Sequence, residues 1–141
     1  MTARPGETFG ITNGVITMLS LITGLYTTKV HKIGVMGAII SLLITDPLSD
    51  AYSLYASQKT INKKTAYDIS KKAFLSQVFL QFIFLTIIFL SPTVKQGLIA
   101  SYIAGIIAIV GYDKYKKVPD DQSRYNLIII FALISLTFYL S

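Results

Sequence analysis

AFLSQVFLQFIFLTIIFL, Ala73 to Leu90, is a run of 18 residues without a single charge. A stretch of that length with no charge reads as a membrane-spanning helix, because crossing a hydrocarbon core of about 30 Å takes some 20 residues at about 1.5 Å each. A spanning strand would need sustained alternation of apolar and polar side chains. Phe79 to Phe89 shows none.

Four further apolar blocks follow the same rule. The spacing predicts helices over about 9–28, 33–57, 73–90, 96–112 and 125–140 in one transmembrane domain covering residues 1–141. The last two are short for a span, and their flanking Tyr and Lys residues serve as interface anchors. The connections expected between them are Lys29 to Lys32, Gln58 to Lys72, Ser91 to Lys95 and Asp113 to Arg124. On one side of the membrane these put Arg4, Lys59, Lys63, Lys64, Lys71, Lys72, Lys114, Lys116, Lys117 and Arg124, against Lys29, Lys32 and Lys95 on the other. Ten positive charges against three place the N-terminus and the two longer loops in the cytoplasm. An odd number of spans then puts the C-terminus on the opposite side. The expected class is an all-α, multi-pass integral membrane protein, a five-transmembrane-helix bundle.

The composition agrees and narrows the function. The chain is 52% hydrophobic and 14% charged, against about 25% charged residues in soluble domains. The longest polar stretch, Gln58 to Lys72, is too short to be a second domain. The net charge of +6 sits in short loops between apolar blocks, where topology explains it, so the partner is the lipid bilayer and not nucleic acid. With no cysteine, disulfides and thiolate metal sites are excluded. No phosphate loop, nucleophile triad or metal-protease spacing occurs, and no enzyme activity or permanently bound cofactor is expected.

Ionisable residues inside a span are expensive, and by default they are functional candidates. In Ser41-Leu42-Leu43-Ile44-Thr45-Asp46-Pro47-Leu48-Ser49-Asp50, Asp46 lies roughly 20 Å along the second helix. Asp50 sits one turn further on, and Ser53 and Ser57 continue that face. Pro47 removes a backbone donor and predicts a kink beside the carboxylate. Two bland alternatives stand beside the functional reading: the aspartates cap a helix broken at Pro47, or Asp50 is simply solvated at the headgroups. The first helix carries Asn13, Thr17, Ser20, Gly24 and Thr27 on one stripe, either a packing seam or the wall of a hydrated path, with Gly10 and Gly14 as a small-xxx-small pair. Gln77 and Gln81 read as interhelical glue, and Gly97, Ser101 and Gly105 as a packing face. His31 reads as a surface loop residue.

These residues carry a resemblance. Gly10-Ile11-Thr12-Asn13-Gly14-Val15, followed by Leu21 and Gly24, resembles the first-helix signature of the vacuolar iron transporter family, G-x-x-D-G-[LI]. Gly37 to Ser49 is similar to that family's second-helix pattern, A-G-A-x-S-M-A-x-G-E-Y-x-S. Asn13 stands where the family has Asp and Asp46 where it has an intramembrane Glu. The chain resembles short forms that lack the cytoplasmic metal-binding domain, since Gln58 to Lys72 has five Lys and no Glu. The resemblance implies a homodimer through the first helices that moves Fe²⁺ or Mn²⁺ out of the cytoplasm in exchange for protons.

On that reading Asp46, Asp50 and Asn13 bind the metal, while Thr17, Ser20, Thr45, Ser49 and Ser53 line the path. The oxygen-only ligands suit Mn²⁺, Fe²⁺ or Mg²⁺ over Cu⁺ or Zn²⁺. Two alternatives remain. One is a proton-coupled exporter of small organic cations. The other is a non-transporting membrane scaffold or accessory subunit.

Overall fold

The computed structural model describes residues 5–115 and 120–140, which hold five helices joined by short connections. They are α1 (Pro5–Thr27), α2 (Lys32–Gln58), α3 (Lys63–Leu90), α4 (Val94–Tyr115) and α5 (Asp120–Leu140), and no strand occurs among the described residues. Four of them, α1 to α4, are long and apolar enough to cross a membrane. In α5 the apolar part among the described residues is the shorter Arg124–Leu140. Arg4, Lys116 and Lys117, counted in the charge comparison, lie outside the described residues.

The largest departure from the expected boundaries is at the start of α3. Asn62 Oδ1 accepts hydrogen bonds from the backbone N–H groups of Lys64 and Thr65 at 3.0 and 3.2 Å. This N-cap satisfies donors that the first turn leaves orphaned. The helix therefore begins at Lys63, and the loop expected over Gln58 to Lys72 contracts to residues 59–62. The lysine-rich stretch is amphipathic helix. Ala66, Ser70, Ala73 and Gln77 are buried at helical spacing, while Lys63, Lys64 and Lys71 are exposed and Lys72 pairs with Asp68 one turn back at 2.9 Å.

α3 lies between α1 and α2 and packs along both, while α2 meets α1 at only a few points. α1 also packs against α4 and α5, which makes it the central helix. The core runs through Val15, Met18, Leu19 and Ile22 of α1, with Leu80, Phe84 and Ile88 of α3 and Leu98, Tyr102 and Ile109 of α4. Gly10 allows the α1–α3 approach. A Cβ there would lie 2.6 Å from the Ala73 carbonyl oxygen and 2.9 Å from Ser76 Cβ. The small-xxx-small pair Gly10 and Gly14 is thus used inside the chain, against α3. The face predicted on α4 is buried as expected, with Gly105 against Val15 and Leu19.

Two devices fix the start of α2. Lys29, the one non-glycine residue at positive φ (60°) among the described residues, ends α1 in a left-handed cap. Val30 N–H donates to the Leu25 carbonyl and Lys29 N–H to that of Tyr26, both at 3.0 Å. Lys32 Nζ then donates to the carbonyls of Phe89 and Ser91, 2.8 Å each. That ammonium caps the C-terminal end of α3, where cations are favoured, and joins it to the start of α2. α2 itself runs unbroken through Pro47, so the aspartates do not cap a broken helix.

Candidate functional site

Asp46 falls at the mid-length of α2 and Gln77 at the mid-length of α3, and there the two helices exchange their polar side chains. Each contributes a pair at i,i+4, Asp46 with Asp50 and Gln77 with Gln81, which places both members on one face. Gln77 Nε2 donates to Asp46 Oδ2 at 2.6 Å and to Asp50 Oδ2 at 2.9 Å. Gln81 Nε2 donates to Asp46 Oδ2 at 3.1 Å. From α1, Asn13 Nδ2 completes the group by donating to Asp50 Oδ2 at 2.6 Å. Three helices thus meet on two carboxylates and three carboxamides.

The electrostatics of this cluster are unbalanced. Among the described residues neither aspartate pairs with a Lys, Arg or His. The donors are neutral amides, which orient a carboxylate without cancelling its charge. Gln77 and Gln81 are fully buried, and the Oε1 atom of each has no hydrogen-bond partner. A buried carbonyl left unpaired costs about 1–3 kcal/mol. Two such oxygens beside two carboxylates form a group rich in acceptors and short of positive charge. Chemically it can take a cation or protons. Asp46, Asp50 and Asn13 are only half-buried, so the carboxylates are reachable from outside the packed core.

The three residues predicted to bind metal, Asn13, Asp46 and Asp50, are therefore brought together. The residues predicted to line a path are not gathered with them. Thr17 is half-buried one turn from Asn13, and Ser20, Thr45, Ser49 and Ser53 are exposed on the single chain. Thr45 donates its hydroxyl hydrogen to the Ser41 carbonyl at 3.0 Å. Sequence reading gave Gln77 and Gln81 a packing role only. Their i,i+4 spacing in mid-span, matching that of Asp46 and Asp50, was the available signal for more. His31 is exposed, as expected of a loop residue.

The burial of Asp113 was missed because the residue was assigned to a loop. α4 continues to Tyr115 and carries Asp113 inward, where it is buried with Oδ2 unpaired. Asn126 of α5 is buried as well, with Nδ2 unpaired. Beside Asp113 in sequence, the Tyr112 hydroxyl bonds Thr8 Oγ1 at 3.0 Å, tying the end of α4 to the start of α1.

No family model, curated protein or solved structure matches the chain.

Proposed function

We propose that the chain is a five-span membrane transporter for a divalent cation, with Asp46 and Asp50 as the charged ligands and with Asn13, Gln77 and Gln81 supplying amide oxygens. The observation that carries this reading is the aspartate pair at mid-length of α2, held by neutral donors alone and flanked by two buried, unpartnered amide oxygens. Ions taken out of water need a counter-charge and satisfied ligands, and this cluster offers both to a cation. An all-oxygen donor set suits Mn²⁺ or Fe²⁺, in line with the motif likeness around Asn13 and Asp46. The Gln77 amide nitrogen donates to both carboxylates, at the place a cation would take. Rotation of the Gln77 and Gln81 amides exchanges N–H for oxygen and turns the orphaned Oε1 atoms into ligands. Carboxyl protons leave as the metal arrives, which couples metal movement to proton movement.

Orientation follows the charge asymmetry, with the N-terminus cytoplasmic and α5 as the fifth span. A homodimer covers the exposed polar side chains of α1 and α2, Ser20 with Ser41 and Ser49, which lipid alone would leave unsatisfied.

One observation favours a second reading. The four hydrogen bonds between amides and carboxylates also lock α1, α2 and α3 together, as a non-transporting scaffold would need. Flux measurements separate the two. Protein reconstituted in vesicles is expected to carry Mn²⁺ down a gradient with opposite proton movement, and Asp46→Asn is expected to lose at least tenfold of that rate while keeping its helix content. Wild-type vesicles that carry neither Mn²⁺ nor Fe²⁺ would decide for the scaffold.

A further inference from the structure

Between the C-terminal ends of α1 and α5 and the N-terminal half of α4 lies a cavity of about 600 Å³, well within the range of small-molecule sites. Leu98, Ile103 and Ile106 of α4 and Ile134 and Phe138 of α5 form its walls. Of its lining hydroxyls, those of Tyr102 and Thr137 are already engaged, while Tyr26 lies at the end of α1. Tyr102 hydroxyl bonds Thr23 Oγ1 and Thr137 Oγ1, and Thr137 also donates to the Leu133 carbonyl at 2.9 Å. The deep part therefore offers no unsatisfied donor to a ligand, and hydrocarbon fits it best. The mouth is different. Lys95 stands there in the first turn of α4, exposed, with no carboxylate paired to it among the described residues. The positive end of the α4 dipole adds to its field.

We propose that this groove binds one anionic phospholipid, with its phosphate at Lys95 and an acyl chain along α4 toward Ile106. The dimensions agree with one leaflet. From Lys95 to Ile106 the groove follows α4 for roughly 16 Å at 1.5 Å per residue, about half of a 30 Å hydrocarbon core. The cation stands where a headgroup lies, and the apolar walls lie where a chain would run.

The test is native mass spectrometry of protein taken from vesicles of equal phosphatidylglycerol and phosphatidylcholine. The protein is expected to retain phosphatidylglycerol about fivefold over phosphatidylcholine, the preference that one lysine near an anionic lipid supplies. Lys95→Gln should bring the ratio to parity with the melting temperature unchanged. Ile103→Trp, at a wall position that is 56% exposed, should reduce retention of both lipids. Equal retention by the wild type, or a preference that survives Lys95→Gln, overturns the proposal. Disulfide-linked dimers from Ile103→Cys overturn it too, by giving the groove to a second copy of the chain.

Discussion

Gln77 holds its position through one nitrogen that serves two acids, and removing it tests what the arrangement is worth. Gln77→Leu leaves Asp46 with the single longer bond from Gln81 and Asp50 with that from Asn13. Loss of hydrogen bonds to a charged acceptor inside a protein costs about 1.5–3 kcal/mol each. Thermal melting in detergent should therefore show Gln77→Leu less stable by about 3 kcal/mol. Asp46→Asn combined with Gln77→Leu should recover part of the loss, since the uncompensated charge has gone, and additive losses would refute the coupling. At this scale the sequence was half legible. Asp46 and Asp50 stand out because a charge in an apolar run has no cheap explanation. Gln77 and Gln81 do not, because a neutral amide can sit in a helix seam at little cost. Only the facing of α2 against α3 shows whom they serve.

Among the elements, α3 departs furthest from its expected bounds. Its apolar half was plain from hydropathy, whereas its first ten residues carry charges and read as a loop. What defines them as helix is the Asn62 cap together with one small or apolar residue each turn, at Ala66, Ser70 and Ala73. Such signals are weaker than 18 uncharged residues, since surface and loop both tolerate lysine. The fit of α1 against α3 is local and steric, and glycine substitution reads it directly. Gly10→Ala should destabilise the protein by about 1–3 kcal/mol, because the new methyl group meets the Ala73 carbonyl. Gly37→Ala meets nothing within 4 Å and should leave the melting temperature unchanged or raise it slightly, alanine being the better helix former. Equal losses at the two positions would show that backbone freedom, and not the α1–α3 contact, is what Gly10 supplies.

For the whole molecule, the helix count and order were legible because apolar blocks and short connections leave few alternatives. The arrangement was not. That α3 separates α1 from α2, and that α1 sits in the middle, depends on which glycines meet which backbones, and periodicity alone leaves this open. Sidedness is testable in the native background, since the chain has no cysteine. A single cysteine at Asn62 should react with an impermeant maleimide only from the cytoplasmic face of oriented vesicles. One at Thr93 should react only from the opposite face, and reversed labelling would invert the topology.

The ammonium of Lys32, fastened to the last carbonyls of α3, gives α2 the mechanics of a hinged plank. One end is pinned by charge and the middle is latched by amides, while beyond Pro47 no residue of α2 is fully buried. Unlatching the middle leaves the pin in place, so displacement grows with distance from Lys32. The carboxylates then ride at half the swing of Gln58, and whatever opens beside them opens widest toward the lysine-rich end of the bundle.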